Sequence, residues 1–456
     1  MRDLSKIVKA YDIRGLVPEE IDEDLARTVG AAFVRLTGAS SIVTAHDMRT
    51  SSGPLSAAFA EGATAQGADV VEAGLGSTDM LYFASGRLDM PGAMFTASHN
   101  PAKYNGIKLC RAGAAPVGQE SGLADIRDAL ENGVPAYDGA RGSVSQHDVL
   151  TEYSAFLHQL VPGLTDIRPL KVVVDAGNGM GGHTVPTVFA DLPVELTEMY
   201  FELDGSFPNH EANPIDPKNT ADLQAKVLEV GADIGLAFDG DADRCFVIDE
   251  RGEIVSPSVL TALIGVRELA REPGSSIIHN LITSHGVPEI VSEHGGIPVR
   301  TRVGHSFIKG EMARTGAIFG GEHSGHFYFR DFWRADSGML AALHVLAALG
   351  TQDGPLSAML AQYSRYSASG EINSEVSDQA AITKEIEQTF GGRPGAEIDH
   401  LDGLTVQLAD GGWFNVRPSN TEPLLRLNVE ANDTAAMSAL RDDVLAIIRS
   451  SKGGGK

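Results

Sequence analysis

The chain has 456 residues, which is long for a single hydrophobic core, so we expect three or four domains. Its 61 acidic and 36 basic residues give a net charge of −25, which argues against a nucleic-acid partner because phosphate backbones select Lys- and Arg-rich surfaces. We expect a cytoplasmic protein without a membrane partner, because Cys110 and Cys245 form no disulfide or zinc pattern, no signal peptide opens the chain, and no apolar run reaches spanning length.

The first 150 residues alternate between helix and strand patterns. A helix is predicted at 22–36, a strand at 42–45, a helix at 55–66 and a strand at 69–73. This rhythm predicts a mostly parallel sheet, on which ligands gather outside the carboxyl ends of the strands. Before it stands the segment Tyr11-Asp12-Ile13-Arg14-Gly15, in which Arg14 on its own is best interpreted as a surface cation.

Residues 96–108 read TASHNPAKYNGIK and follow a short apolar strand at 93–95. Asn105-Gly106 predicts a tight turn before a second strand at 107–110. Ser98 then lies on a loop at a strand end, with His99 beside it and Lys108 in the next strand. A serine becomes a nucleophile only with a base or an electropositive site nearby. The alternative is that Ser98 merely caps a turn.

A second domain is predicted after a bridging helix at 149–161, and it carries three alternating carboxylates. A strand at 234–238 leads into Asp239, Asp241 and Asp243, and a strand at 245–248 follows. Oxygen-only ligands suit Mg²⁺ or Ca²⁺. A solvated acidic turn is the competing interpretation, whereas an EF-hand is excluded because Arg244 stands where that loop needs Gly. The glycines at 177–182 indicate a strand-to-helix turn, because no acidic residue follows where a dinucleotide site needs one.

A third domain is predicted from residue 257 and contains two polar loops. His305 precedes a helical segment at 307–314, where backbone N–H groups favour an anion, although a capping residue is the more frequent case. After a strand predicted at 317–319, the loop GGEHSGH presents Glu322, Ser324 and His326. A carboxylate, a hydroxyl and an imidazole on one flexible loop supply the donors and acceptors that sugar hydroxyls need.

The last domain contains a polar turn between two strands. Arg417 precedes Ser419-Asn420-Thr421, and a strand is predicted at 424–430. An arginine is a bidentate phosphate donor by geometry, and the following residues add hydroxyl and N–H donors. A plain β-turn would also use these residue types.

These segments, taken in order, resemble the motifs of the α-D-phosphohexomutase family, which contains the phosphoglucomutases and phosphomannomutases. The matching stretches are Y-D-I-R-G, T-A-S-H-N-P with N-G-x-K, D-G-D-A-D-R, G-E-x-S-G and R-x-S-N-T-E-P, and they extend from residue 11 to 426. The resemblance implies an α/β fold in which three related mixed-sheet domains and a smaller α+β C-terminal domain surround a central cleft. The expected domain bounds are 1–150, 151–255, 256–365 and 366–456.

The resemblance also implies roles for individual residues. Ser98 would carry a phosphoryl group and, with Asp239, Asp241 and Asp243, bind Mg²⁺. Arg14 and Arg244 would offset the charge of the transferring group, and Lys108 would move a proton with His99 or His305 assisting. The implied substrate-binding residues are Tyr11, Glu322, Ser324, His326, Arg417, Ser419, Asn420 and Thr421.

The implied reaction is a reversible transfer of phosphate from Ser98 to a hexose monophosphate through a 1,6-bisphosphate. Glucose 1,6-bisphosphate or mannose 1,6-bisphosphate would act as the activator. Asn420 and the G-E-H-S-G-H loop resemble the bacterial phosphomannomutase/phosphoglucomutase branch, which favours mannose phosphate with glucose phosphate as a second substrate. The alternatives are a phosphoglucomutase, a phosphoglucosamine mutase, or a phosphosugar phosphatase or binding protein. We expect a monomer or a homodimer.

Overall fold

The computed structural model describes residues 3–419 and 424–450 of the chain. These residues form four separate β-sheets, each packed with its own helices, and we number the corresponding domains 1 to 4 in chain order. The expected α/β architecture is therefore confirmed. Within the described ranges, no helix has the length and apolar character needed to span a membrane.

Domain 1 holds the first sheet and the helices that cover it. Its strands are β1 (Ile13–Leu16), β2 (Ser41–His46), β3 (Asp69–Leu75), β4 (Gly92–Phe95), β5 (Tyr104–Arg111), β6 (Ala115–Pro116) and β7 (Val144–Gln146). Its helices are α1 (Leu4–Ile7), α2 (Glu23–Thr37), α3 (Ser52–Ala65), α4 (Thr78–Leu88) and α5 (Leu123–Asn132). The strand order is β1-β5-β4-β2-β3-β7, in which β3, β2 and β4 are parallel and β5 runs antiparallel to β4.

Domain 2 repeats this arrangement with fewer strands. The strands are β8 (Leu170–Asp175), β9 (Val194–Met199), β10 (Ile234–Phe238), β11 (Cys245–Asp249) and β12 (Ile254–Val255). The helices are α6 (Leu150–Leu160), α7 (Gly181–Phe189) and α8 (Ala221–Val230). The order is β12-β11-β10-β8-β9, with β9, β8 and β10 parallel and β11 antiparallel to β10.

Domain 3 has the same pattern again. Its strands are β13 (Ser276–Asn280), β14 (Ile297–Thr301), β15 (Phe319–Gly321), β16 (Phe327–Phe329) and β17 (Ala335–Asp336). Its helices are α9 (Pro257–Arg271), α10 (Gly286–Glu293), α11 (His305–Thr315), α12 (Gly338–Gly350) and α13 (Leu356–Leu360). The order is β14-β13-β15-β16-β17, with β14, β13 and β15 parallel and β16 antiparallel to β15.

Domain 4 is an antiparallel sheet with helices packed on it. Its strands are β18 (Ser367–Ala368), β19 (Ile372–Glu375), β20 (Glu397–Asp399), β21 (Leu404–Gln407), β22 (Trp413–Pro418) and β23 (Leu424–Ala431). Its helices are α14 (Gln379–Gly391) and α15 (Thr434–Ser450). The order β18-β23-β22-β21-β20, with β19 also on β23, is that of the expected α+β domain.

The three polar loops occupy equivalent positions in domains 1 to 3. Each follows the parallel strand (β4, β10 or β15) that borders the antiparallel part of its sheet, and each precedes the antiparallel strand that pairs with it. Polar groups at the carboxyl ends of parallel strands lie outside the sheet, where ligands bind in open α/β folds. One topology, used three times, therefore presents the serine loop (96–103), the aspartate loop (239–244) and the Glu322 loop (322–326).

The apolar core joins domains 1 to 3. One cluster of buried side chains contains Met94 of β4, Phe238 of β10 and Phe319 of β15, together with the apolar side chains of α12. Every residue of α12 is buried, as expected for a helix whose side chains are apolar except for His344. Within the described residues, domain 4 adds none to this cluster and has its own, which includes Phe414 and Leu427.

Two sequence predictions about local structure are wrong. Asn105-Gly106 forms no turn but lies inside β5, opposite β1. A Cβ on Gly106 would stand 2.5 Å from the Ile13 carbonyl oxygen, and the Asn105 amide donates to Ser51 and Ser52, so both residues serve close packing.

The strand predicted at 317–319 instead spans Phe319–Gly321, because both of its glycines pair with β13. A Cβ on Gly321 would lie 2.2 Å from Thr261 Oγ1, so glycine permits helix α9 to approach this strand.

Candidate active site

The serine loop places Ser98 against domain 2. Ser98 is 2% exposed and has a left-handed φ of 50°, which is uncommon for a residue with a side chain. Its Oγ donates to Asp239 Oδ2 at 2.8 Å and lies 3.2 Å from His99 Nδ1. Non-glycine residues in strained conformations cluster at functional sites, which is consistent with a reactive hydroxyl here.

The aspartate loop, residues 239–244, brings its three carboxylates together. Asp239, Asp241 and Asp243 are buried, and one ligand atom from each lies within 4.8 Å of the others. The loop approaches the serine loop closely, since a Cβ on Gly240 would be 2.4 Å from the Ser98 carbonyl oxygen. The serine and the three aspartates thus form one compact site across two domains.

The donor set of this site fits a hard divalent cation. Oδ1 of Asp241 and Oδ1 of Asp243 are buried and have no hydrogen-bond partner among the described residues. Burial, together with Asp243 and Asp241, raises the pKa of Asp239 well above its usual value. Buried carboxylates so close together need positive charge, and carboxylate oxygens are the ligands that Mg²⁺ and Ca²⁺ prefer.

Lys108 supplies part of that positive charge. Its Nζ lies 2.7 Å from Asp241 Oδ2 and 2.7 Å from Asp243 Oδ2. Burial acts to lower the pKa of Lys108, but Asp241 and Asp243 outweigh it and raise the pKa well above the usual value. Burial likewise acts to raise the pKa of Asp241, and Lys108 outweighs it, so that this pKa is lowered. Lys108 is therefore an ammonium in this arrangement.

Arg244 connects the aspartate loop with two imidazoles. Its Nη2 lies 3.1 Å from His99 Nδ1, and its Nε donates to His326 Nε2 at 3.2 Å. Burial and Arg244 lower the pKa of His99 well below its usual value and that of His326 to about 4, so both rings are neutral. His326 Nδ1 then donates to Ser324 Oγ at 2.8 Å. His326 also lies 3.6 Å from Asp243 Oδ1, which joins the loops of domains 2 and 3.

Glu322 is 2% exposed and is fixed by three donors. Tyr328 donates to its Oε2 at 2.7 Å, and the Asn280 amide and the Gly304 N–H each donate to its Oε1 at 3.2 Å. Burial raises the pKa of Glu322. The orientation of this carboxylate is therefore set by groups of domain 3 alone.

Tyr11 reaches from domain 1 to the start of helix α11. Its ring contacts Phe307 edge-on at 6.3 Å, and a Cβ on Gly304 would stand 3.1 Å from its hydroxyl. The helix begins at His305, two residues before the predicted start at residue 307, and the side chain of His305 is outside the described part of the structure. The contact places Tyr11 beside the N–H groups of a helix N-terminus, which favour an anion.

Arg14 lies in β1, beside the serine loop. Its Nη1 donates to Asn100 Oδ1 at 2.7 Å, and its Nη2 donates to Asp12 at 2.5 Å. Its Nε is buried and has no hydrogen-bond partner within the described residues. Arg14 thus contacts the loop that carries Ser98, two residues after the serine.

Arg417 of β22 faces two carboxylates of its own domain. Nη2 lies 3.5 Å from Glu371 and Nη1 lies 3.6 Å from Asp402. Glu371 is 3.9 Å from His323, so Arg417 is linked through one carboxylate to the loop that carries Glu322. Ser419 follows β22, and its N–H bonds the Leu424 carbonyl at 2.9 Å. Asn420 and Thr421 lie outside the described residues.

Several residues that contact the site were not found by sequence reasoning. Thr78 donates to Asp241 Oδ2 at 2.6 Å, and Asn280 and Tyr328 hold Glu322. Arg49 binds the backbone of the serine loop. Thr78 and Arg49 both follow parallel strands of the sheet that carries Ser98, and this shared edge is the signal that could have revealed them.

Each of the four domains of the chain matches one domain of a single protein family. Residues 5–134 match phosphoglucomutase/phosphomannomutase alpha/beta/alpha domain I, 152–252 match domain II, 257–366 match domain III, and 371–447 match the C-terminal domain. The four matches occur in the order of the four sheets.

Individual relatives match over nearly the whole chain. A phosphomannomutase of Escherichia coli is 40% identical over 452 residues, covering 97% of this chain and 98% of that protein. The phosphohexose mutases of Xanthomonas campestris pv. campestris are 40% identical over 439 residues, covering 95% of this chain and 96% of that protein. A crystal structure of a phosphoglucomutase/phosphomannomutase family protein from Burkholderia thailandensis is 33% identical, with a TM-score of 0.88, covering 100% of this chain and 99% of that one.

Proposed function

The chain belongs to the phosphoglucomutase/phosphomannomutase family, and from this membership we propose that it interconverts mannose 1-phosphate and mannose 6-phosphate. The observation that carries the proposal is the contact of Ser98 Oγ with Asp239 Oδ2 at 2.8 Å, within a group of buried carboxylates. A hydroxyl next to a cation-binding cluster is the arrangement that a phosphoserine intermediate requires.

In the proposed cycle Ser98 carries the phosphoryl group that is transferred. A hydroxyl of the bound sugar monophosphate attacks phosphorus, the bond from phosphorus to Ser98 Oγ breaks, and a 1,6-bisphosphate forms. After the bisphosphate reverses its orientation, Ser98 Oγ attacks the other phosphate, and the isomeric monophosphate is released. The chain returns to its phosphorylated form, so a trace of glucose 1,6-bisphosphate or mannose 1,6-bisphosphate suffices to activate unmodified Ser98.

We assign Mg²⁺ to the aspartate loop, with Asp239, Asp241, Asp243 and an oxygen at Ser98 as its ligands. Bound there, Mg²⁺ supplies positive charge that offsets the charge of the transferring phosphoryl group. The residues of the chain contribute the rest. Arg244, over the same carboxylates, and Arg14, beside the serine loop, are placed to hold the oxygens of that group.

In the first transfer the attacking sugar hydroxyl loses a proton and the departing Ser98 Oγ gains one, and the second transfer reverses both steps. We propose that Lys108, as an ammonium, gives the proton to Ser98 Oγ and regains it in the second transfer, with His99 or His305 assisting as the acceptor for the sugar hydroxyl. The contacts of Lys108 with Asp241 and Asp243 keep its Nζ beside the reacting serine. His99 is close to Ser98, although its Nδ1 also faces Arg244. Positioning and charge supply most of the catalysis in phosphoryl transfer, so proton transfer by these residues contributes less to the rate than the metal and the arginines.

The remaining site residues hold the sugar and its second phosphate. We assign the hydroxyl contacts to Glu322, Ser324 and His326, because their loop adjoins Arg244 and Asp243. We assign the non-transferring phosphate to Arg417, Ser419, Asn420 and Thr421, with Tyr11 between domains 1 and 3. A guanidinium binds a phosphate more tightly than two nearby carboxylates that are partly exposed to water, because the phosphate carries more charge and accepts two parallel bonds.

The test is a paired assay of the purified chain on mannose 1-phosphate and glucose 1-phosphate, with Mg²⁺ and a trace of glucose 1,6-bisphosphate. Phosphorus NMR separates the 6-phosphates from free phosphate. We expect mannose 6-phosphate to form, with glucose 6-phosphate as a slower product, and both to stop on chelation and resume when Mg²⁺ is restored. Free phosphate without a 6-phosphate would contradict the mutase and favour a phosphatase, and binding without turnover would favour a phosphosugar-binding protein.

We place the protein in the cytoplasm, because Cys110 and Cys245 are both free and buried, as in a reducing compartment. The oligomeric state, monomer or homodimer, stays a prediction.

A further inference from the structure

We propose that Arg49 is a positioning residue that holds Ser98 in its reactive conformation; this inference rests on the proposed function of Ser98. Arg49 follows β2, the parallel neighbour of the strand that leads to Ser98. Its side chain is only 1% exposed. Within the described residues it makes no hydrogen bond to the aspartate cluster or to the Glu322 loop, so its direct contacts with the site are those with the serine loop.

The guanidinium of Arg49 uses all five of its N–H donors. Its Nη2 donates to the carbonyl oxygens of Ser98 and Asn100 at 2.9 and 2.6 Å. Its Nη1 donates to those of Pro101 and Tyr104, both at 3.0 Å, and its Nε donates to Asp47 at 3.2 Å. A planar fork with five donors is specific to arginine, since a lysine offers three donors around a single nitrogen.

These bonds fix the backbone of the serine loop from the inside. The loop turns through left-handed Ser98, and turns of this kind leave carbonyl oxygens without partners in a ladder. Arg49 collects four carbonyl oxygens around one group, three of them from the loop and one from Tyr104 at the start of β5. The Pro101 oxygen also accepts from the Tyr104 N–H at 3.0 Å. Asp47, which in turn accepts from Ser52 Oγ at 2.5 Å and from the Arg49 N–H at 3.0 Å, holds the guanidinium.

Residues of domain 2 also pack against Arg49. The ring of Phe207 lies over the Arg49 guanidinium at 5.0 Å, and a Cβ on Gly205 would stand 2.7 Å from Arg49 Cα. Gly240 of the aspartate loop approaches the Ser98 carbonyl oxygen, which accepts from Arg49. Arg49 therefore sets the distance between Ser98 and the aspartates, because it fixes the Ser98 carbonyl group against which the aspartate loop packs.

Loss of the fork should move Ser98 without altering the surface that binds the sugar. For Arg49→Lys we expect kcat on mannose 1-phosphate to fall about 100-fold, as a misplacement near 1 Å does in other enzymes, while KM stays within about threefold. In Arg49→Ala, added methylguanidinium should restore part of kcat, whereas methylammonium should not. Phe207→Leu keeps all five hydrogen bonds and should show a smaller loss, again in kcat alone.

Arg267→Lys is the matched control, because Arg267 also donates to a backbone carbonyl, that of Pro162 at 3.0 Å, but lies on α9. It should leave kcat unchanged. Amide exchange across residues 96–106 gives a second measure that needs no activity, and it should accelerate in Arg49→Lys and not in Arg267→Lys. Wild-type kcat in both Arg49→Lys and Phe207→Leu, or unchanged exchange in Arg49→Lys, would overturn the inference. A wild-type chain that makes no 6-phosphate would contradict the proposed function instead, and the exchange comparison would still decide on Arg49.

Discussion

Domains 1 to 3 are joined by a shared apolar core, whereas domain 4 has a core of its own. Buried Asp79 is an example of how domains 1 to 3 are joined. It accepts hydrogen bonds from the hydroxyls of Tyr153 in domain 2, at 2.7 Å, and Ser337 in domain 3, at 2.5 Å. Domain 4 meets domain 3 through polar contacts and one stack, that of His285 on Trp413 at 4.8 Å.

On the roles that we propose, this difference separates the residues that carry out phosphoryl transfer from those that bind the second phosphate. The serine and aspartate loops lie in the part of the molecule with a continuous core, and such interiors hold side chains in fixed positions. Arg417 and Ser419 lie in the part attached by polar contacts, and interfaces of that kind permit relative domain motion. We therefore expect domains 1 to 3 to keep the reacting groups in place while domain 4 adapts to the two orientations of the intermediate.

The largest effect is expected from the part with the shared core. Asp241→Asn keeps the shape of the side chain but removes a negative charge. That charge belongs to the proposed cation site and also pairs with Lys108. We expect kcat to fall by about 10³-fold, since one electrostatic contact to a transition state is worth about that much, and the Mg²⁺ needed for half-maximal rate to rise. Steady-state assays over a range of Mg²⁺ concentrations measure both, and exposed Asp128→Asn on α5 is the control. Unchanged metal dependence in Asp241→Asn would show that the cluster is not the metal site.

A smaller and different effect is expected from domain 4. Arg417→Ala removes a charge-assisted contact to the non-transferring phosphate. We expect KM to rise by roughly 10- to 100-fold with a lesser change in kcat, because such a hydrogen bond contributes about 1.5–3 kcal/mol. Arg393→Ala in the same domain, where the arginine side chain is 41% exposed, should change neither constant. If Arg417→Ala instead lowered kcat alone, the assignment of phosphate recognition to domain 4 would be wrong.

The smallest effect on activity is expected from Asp79, which tests the junction of the domains. Burial raises the pKa of Asp79 from 3.8 to about 6. The folded protein therefore holds this proton more tightly than the unfolded chain, so the free energy of unfolding falls as pH rises from about 4 to about 6 and is level above that.

Asp79→Asn has no such proton. The stability of the wild type relative to Asp79→Asn should therefore fall by roughly 3 kcal/mol over that pH interval, at 1.36 kcal/mol for each pKa unit. Denaturant unfolding at a series of pH values measures this, with Asp128→Asn as the control. A difference that does not vary with pH would mean that Asp79 is not a buried carboxyl at the junction.

The groups that we propose to react could be recognised in the sequence because each occupies a short continuous motif. Ser98 and the aspartates follow strands whose apolar patterns are unambiguous, and the alternation of helix and strand indicated which ends of the strands would carry them. The related architecture of three domains was implied by the resemblance of these motifs to the family, and the three similar sheets confirm it.

The supporting contacts could not be predicted, because they join residues distant in the chain. Arg49 and Thr78 reach the site only through the pairing of β2, β3 and β4, an order that no single segment reveals. Asn105-Gly106 was misassigned because the same dipeptide serves a tight turn and a close approach of two strands.

The most direct test of the account is whether Ser98 carries the phosphoryl group. The chain is incubated with mannose 1,6-bisphosphate and Mg²⁺, its mass is measured, and mannose 1-phosphate is then added. We expect one phosphoryl group on the wild type, located at Ser98 by peptide mapping and exchanged with the sugar. Ser98→Ala should carry none and should have lost nearly all mutase activity. Ser98→Thr is tested beside it as the hydroxyl-bearing control. Phosphorylation of Ser98→Ala at another residue, or activity that survives the loss of Ser98, would contradict the account.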